Sequence, residues 1–310
     1  MSVSSGEISV LVQGSVDEKT KKCIASVRRH LPGSQVVLST WKGYDLSNIE
    51  YDALCEQDDP GANKIKCLGN IYREIIGRKA GLQKCDRLYT LIIRSDSEVI
   101  NLNFVRAFEE KLRVGKYEEY RFLKDRVMMC SAGWIASSLF FLNDWFFFGK
   151  TEDIKDMFDL PVIDESLLSD DEKGLPDYNS PHEYLATQFV KKHMDLDYTY
   201  EDFSNNKYKY KGMWEKIIVE NFKMLGFYDN YGITNLKEPY HTNEVNNAKY
   251  FIPGMKHLML NFEFEDWYNC YNRLYEDKIK IKPRAKWFMA RIGIGFYRKL
   301  KPKRVCRKNI

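Results

Sequence analysis

Two short apolar runs bracket one amphipathic stretch near the N-terminus, and no other feature limits the fold as much. Ile8 to Val12 (ISVLV) ends at Gln13-Gly14-Ser15, and Gln35 to Thr40 (QVVLST) follows as a second run. Between them, Asp17 to Leu31 is polar with apolar residues at Cys23, Ile24 and Val27, and it stops at Pro32-Gly33. Short apolar runs bounded by turn residues read as buried strands, and an apolar stripe at helical spacing with a Pro-Gly stop reads as a helix. Strand, helix, strand at this separation predicts a parallel βαβ unit, hence an α/β fold with helices flanking the sheet.

The same reading continues along the chain. Tyr51 to Cys55 is expected as a third strand, followed by the turn Asp58-Asp59-Pro60-Gly61. Asn70 to Leu82 reads as a helix, with Ile71, Ile75 and Ile76 on one side, and Leu88 to Ile93 (LYTLII) as the strongest strand. Leu102 to Leu112 is expected as a helix. Val127 to Cys130 and Ser138 to Phe148 are expected as strands around a turn. Thr151 to Phe158 reads as a helix with Thr151 as N-cap, and Pro181 to Met194 as a helix opened by proline. Glu165 to Ser180 is acidic and turn-rich and reads as an exposed loop; residues 195–255 show no periodicity that orders them. Pro283 to Leu300 reads as a helix with a basic line (Arg284, Arg291, Arg298) and an apolar stripe (Phe288, Ile292, Phe296, Leu300).

Composition narrows the setting. At 310 residues and 44% apolar content the chain can bury a large core. The division expected is a sheet domain over residues 1–255 and a helical basic extension over 256–310. Seven cysteines without a Cys-x-x-Cys pair argue against a disulfide framework or a zinc knuckle and for a reducing compartment. The N-terminus lacks a basic region before its apolar run, unlike a signal peptide. Charge is uneven: Lys278 to Ile310 holds 13 Lys/Arg and no Asp/Glu, so all 44 acids face 35 basic residues in the rest of the chain. A basic tail on an acidic body seeks anions; the amphipathic pattern suits a membrane interface and a docked helix with solvated charges alike, and the absence of acids favours an anionic membrane surface.

Three polar groups are placed for chemistry. Arg94-Ser95-Asp96 follows the strongest strand, where open α/β sheets bind ligands, and Asp96 there suits a cation bridging a diphosphate; a turn or cap role is the alternative. In Ser180-Pro181-His182-Glu183, Glu183 opens a helix and suits a general base, against the alternative of complementing the helix dipole. His182 reads as a surface histidine. Asp153, in Thr151-Glu152-Asp153, is a competing base whose alternative is capping. Phosphate-loop, dinucleotide and hydrolase-elbow motifs are absent.

Taken in order, several segments resemble the WavE family of lipopolysaccharide synthesis proteins over roughly residues 8–190: Ile8 to Val16, Val37 to Gly43, Asp59-Pro60-Gly61, Asn70 to Arg73, Leu91 to Asp96, and Asp144 to Gly149. Ser15 stands where that family usually has proline. The resemblance implies a glycosyltransferase of the GT-A fold, a Rossmann-like mixed sheet flanked by helices, using a nucleotide-sugar donor. Gln13, Gly14, Thr40, Arg73, Arg94, Ser95 and Asp96 would then face the donor. Asp96 would hold the place of the metal-binding Asp-x-Asp motif, with Arg94 replacing its first acid, so that either Mn²⁺ or Mg²⁺ or a basic residue meets the diphosphate. His241 is a second candidate metal ligand. Pro181-His182-Glu183 resembles the acceptor-side motif that supplies the base in inverting members.

The function expected is therefore sugar transfer to a polysaccharide or lipid-linked glycan acceptor. The protein is expected to be cytoplasmic and peripheral at the inner face of the membrane, without a nucleic-acid partner. A catalytically degenerate scaffold, or a nucleic-acid-binding protein using the tail, are the alternatives.

Overall fold

A computed structural model describes residues 2–63, 69–130, 139–162, 181–197, 207–225, 231–236 and 264–276. The predicted βαβ unit is present as β1 (Ile8–Gln13), α1 (Glu18–His30) and β2 (Gln35–Trp41), with β2 parallel to β1. Asp17 caps α1: its carboxylate accepts the Lys19 amide at 2.8 Å while the Thr20 hydroxyl accepts the Asp17 amide at 3.1 Å, so two orphan donors are satisfied reciprocally. β3 (Ala53–Gln57), α2 (Ile71–Leu82), β4 (Tyr89–Arg94), β5 (Ser97–Val99) and α3 (Asn103–Glu109) follow. β6 (Val127–Cys130), β7 (Phe146–Lys150), α4 (Thr151–Phe158) and α5 (Pro181–His193) complete the first two thirds.

Seven strands form one mixed sheet in the order β3-β2-β1-β4-β7-β6-β8, where β8 is Phe222–Leu225. β7 is antiparallel to both of its neighbours, and the other pairings are parallel. β5 pairs antiparallel with β9 (Ile233–Asn235) in a small second sheet. Alternation along each strand splits the core into two layers, as the pleat requires. Leu11, Val37, Ile92, Val127, Met129 and Phe147 point into one layer, with α2, α4 and α5. Val10, Val12, Leu38, Leu91, Ile93, Phe146 and Phe148 point into the other, with α1 and α3.

Three expectations are corrected. The strand expected over Ser138–Phe148 begins only at Phe146, because the Asn143 carboxamide accepts the Trp145 amide at 2.8 Å and turns the chain there. Thr151 does not cap α4; Lys150 holds that position, and the Thr151 hydroxyl donates instead to the Arg87 carbonyl at 2.6 Å. Within residues 195–255, left unordered by sequence, stand α6 (Lys211–Asn221), β8 and β9.

One further helix, α7 (Phe264–Tyr275), falls in the stretch expected as an extension. It buries Trp267 and Tyr271 in the same core as α6, with the Arg126 guanidinium 5.8 Å from the Trp267 ring centre. The acidic loop 165–180, the helix 283–300 and the basic tail from 278 onward lie outside the described residues. Among the described residues no helix is long and apolar enough to cross a membrane.

Candidate functional site

The strand order reverses between β1 and β4: the chain leaves β1 toward β2 and β3 on one side and returns as β4 on the other. At such a point the loops beyond the carboxyl ends of the strands diverge and leave a crevice. A cavity of ≈ 290 Å³ opens there. Gln13, Gly14 and Ser15 come from the end of β1 and the turn after it, Trp41 and Tyr44 from the end of β2 and beyond, and Arg94, Ser95 and Asp96 from the end of β4 and the turn after it. Asn70, Arg73, Glu74 and Arg78 come from α2 and its N-cap, joined by Asp59 and Asp144.

The β1 turn is held in a fixed shape. Gly14 has φ +139°, and a Cβ there would lie 2.6 Å from the Ser95 hydroxyl, so glycine alone fits. The Thr40 hydroxyl donates to the Gly14 carbonyl at 2.8 Å, the Ser95 amide to Gln13 at 2.8 Å, and the Ser95 hydroxyl to Ser15 at 2.7 Å. Gln13 lines the cavity, but its carboxamide is spent on α2: it donates to the Arg73 carbonyl at 2.7 Å and accepts from Arg78 Nε at 3.1 Å. Its role is to fix α2 against β1.

Arg94 and Asp96 form a closed fork. Arg94 Nε donates to one Asp96 oxygen at 2.9 Å and Nη2 to the other at 2.8 Å, and the guanidinium lies 4.9 Å from the Trp145 ring centre. Burial works against the Arg94 charge, but Asp96 and then Asp144 outweigh it and raise its pKa. The donor set does not fit a divalent ion at Asp96. Both oxygens already face a cation, and a divalent ion about 4 Å from that guanidinium would be repelled by about 8 kcal/mol at an effective dielectric of about 20. Among the described residues, no three His, Cys, Asp or Glu side chains are grouped to hold a metal.

Deeper in the wall sits a cluster that sequence reasoning missed. Arg78 is 1% exposed, packed 4.8 Å from the Phe158 ring centre and 5.5 Å from that of Phe147. Nη2 donates to the Asp144 carbonyl, whereas Nη1 has no hydrogen-bond partner and lies 3.9 Å from Glu74. Burial and the neighbouring Asp144 charge push the Glu74 carboxyl well above the usual range. Burial opposes ionisation of Asp144 too, but His182, the Glu74 carboxyl, Arg78 and Arg94 outweigh it and hold Asp144 at about 2. The proton of this pair therefore resides on Glu74. His182, expected at the surface, has its ring 4.6 Å from that of Phe141 and Nδ1 3.9 Å from Asp144; burial lowers its pKa against the pull of Asp144. The sequence did carry a signal for Arg78, which stands between Ile75 and Leu82 on the buried stripe of α2.

Of the residues singled out by sequence, the cavity brings together Gln13, Gly14, Arg73, Arg94, Ser95 and Asp96, with Thr40 bonded to the turn behind it. Arg73 stands at the rim in a two-pronged pair with Asp59, at 2.7 and 2.6 Å. Asp153 is not in this group. It is buried, with its carboxylate oxygens accepting the Lys124 and Asp125 amides at 2.8 and 3.0 Å. Glu183 is 2% exposed in the first turn of α5 and is not among the cavity-lining residues, although its neighbour His182 reaches Asp144. His241 lies outside the described residues.

Comparison with curated proteins gives no match. The family described as WavE lipopolysaccharide synthesis matches residues 8–301, which takes in every strand of the sheet and both α6 and α7. The chain belongs to the WavE lipopolysaccharide synthesis family.

Proposed function

We propose that the protein is a GT-A-type glycosyltransferase that binds a nucleotide sugar in the cavity between β1, β4 and α2 and passes the sugar to a polysaccharide or lipid-linked glycan. The observation that carries this reading is the place and lining of the cavity: a sheet switch point in a lipopolysaccharide synthesis protein, walled by Arg73, Arg78 and Arg94. Guanidinium forks match phosphate oxygens, and the Trp41 and Tyr44 rings, at the same cavity, offer faces for a base.

In the reaction the acceptor hydroxyl oxygen bonds to the anomeric carbon. The bond from that carbon to the diphosphate oxygen breaks, and its electron pair leaves on the nucleotide. The hydroxyl proton passes to a carboxylate, and a single displacement inverts the anomeric centre. We assign that carboxylate to Glu183, supported by its seat in the first turn of α5 beside His182. Asp153 has no part in this proposal, because its two oxygens are bonded to the 124–125 backbone. The basic stretch Lys278 to Ile310 would bring the enzyme to an anionic membrane surface, where a lipid-linked acceptor resides.

The test is nucleotide release from a panel of UDP-, GDP-, CMP- and dTDP-sugars, with membrane extract as a source of acceptor. Release from one donor that depends on the extract supports transfer. No release from any donor, together with no nucleotide-sugar binding by calorimetry, would refute it.

A further inference from the structure

On the nucleotide-sugar reading proposed above, the cavity has to neutralise a diphosphate, and the side chains that face it are guanidinium groups rather than a free acidic pair. We propose that the cavity binds the diphosphate of its donor without a divalent cation, through Arg73, Arg78 and Arg94.

Three observations lead there. First, Asp96 is 4% exposed and grips Arg94 through both oxygens, so the place where a cation would bridge protein and diphosphate already holds a fixed positive charge. Second, Arg78 is as buried as any core residue, lines the cavity, and keeps one donor, Nη1, without a hydrogen-bond partner. Buried donors are nearly always satisfied, so this unmet N–H, buried just behind the cavity surface, is a donor that an oxyanion entering the wall would meet. Its nearest acid, Glu74 at 3.9 Å, makes no hydrogen bond to it, so Nη1 is left unpaired. Third, Arg73 at the rim is closed by Asp59 in the same two-pronged geometry that a phosphate would adopt.

The three arginines face three ionised acids, Asp59, Asp96 and Asp144, so a diphosphate has to displace one of them. Asp59 yields most easily: its side chain is 40% exposed, against 6% for Asp96 and 14% for Asp144, and it can turn into water when it lets go. Asp59 then acts as a stand-in anion that holds Arg73 in place until the donor arrives. Arg94, fixed by Asp96 beneath it, supplies charge from a position that does not move.

The test is calorimetric titration of UDP, GDP, ADP and dTDP into the full chain, with chelator and with Mn²⁺, beside a spin-resonance titration of Mn²⁺ alone. At least one diphosphate is expected to bind with the same affinity in chelator as in Mn²⁺, with no saturable Mn²⁺ site. Arg78→Gln is expected to weaken that binding about tenfold or more, the loss of a charge-assisted contact. Because Arg78 is buried and that variant can fail to fold, Asp59→Asn at the rim is the second probe. It removes the competing anion and is expected to tighten the diphosphate several-fold. Binding that appears only with Mn²⁺ or Mg²⁺, or Asp59→Asn binding more weakly than wild type, overturns the cation-free clamp while leaving the nucleotide reading intact. No binding of any nucleoside diphosphate under either condition overturns the nucleotide reading itself, and the clamp with it.

Discussion

Arg94 and Asp96 face each other across a single turn after β4, the guanidinium fork matched to both carboxylate oxygens at 2.9 and 2.8 Å. Both residues line the cavity, and the Arg94 guanidinium lies over the Trp145 ring. Arg94→Lys keeps the charge but makes one contact where arginine makes two, and it loses the planar stacking. We expect a loss of about 1–3 kcal/mol in urea unfolding, since hydrogen bonds to charged partners are involved. A midpoint equal to wild type would show that the fork contributes nothing to holding this turn.

Gly77 lets α2 approach β1 closely enough for Gln13 to reach it. A Cβ at residue 77 would collide with the Gln13 carboxamide, whose bonds to Arg73 and Arg78 would then have to shift. Gly77→Ala should therefore destabilise by about 1–3 kcal/mol despite the better helix propensity of alanine. Thermal unfolding checks this. A raised Tm would mean that Gln13 moves aside freely and does not set the position of α2.

The parts of the fold legible in the sequence were those with strong local signals. β1, α1, β2, α2 and β4 have long or sharply bounded patterns, and β1, α1 and β4 stop at Gln13-Gly14, Pro32-Gly33 and Arg94-Ser95, so the limits of all five agree with the structure to within about two residues. β8 follows α6 with no turn residue between Asn221 and Phe222, so nothing local marks the change from helix to strand. Of the site, the strand-end residues were visible because their position after a strand carries meaning. The Glu74–Arg78–Asp144–His182 cluster was not, because it joins α2, the turn before β7 and α5, and no local pattern encodes that meeting. Glu183 and Asp153 had similar helix-start signals, and only tertiary packing reveals that the Asp153 carboxylate is tied to the 124–125 backbone.

Glu74 and Asp144 should give stability opposite dependences on pH. Glu74 has a raised pKa, so between its unfolded value of 4.5 and its folded one the native state binds the extra proton. Its contribution is full below 4.5 and is lost as pH rises through the folded value. Asp144 falls from 3.8 to about 2, so its contribution is present above 3.8 and is lost as pH falls toward 2. Glu74→Gln should therefore gain on wild type as pH rises from 4.5, whereas Asp144→Asn should be destabilising at neutral pH and nearly neutral near pH 2. Denaturation curves at several pH values decide it, and differences that stay constant with pH would show that the proton is not held on Glu74.

Glu183 separates chemistry from binding. It lies outside the cavity lining, so removing its charge should leave donor affinity nearly unchanged. As the base that takes the acceptor proton, it acts only as the new bond forms, and Glu183→Gln should lower kcat by about 10²-fold or more with little change in donor KM. The amide is nearly the shape of the acid, so the buried first turn of α5 is kept, and an unchanged Tm would confirm that the fold survives. Should donor turnover fall while KM rises by the same factor, Glu183 would be supporting the cavity wall through His182 rather than moving a proton. Should turnover survive intact, the base would have to be sought elsewhere, and Asp144, ionised at neutral pH and already at the cavity, would be the next carboxylate to replace.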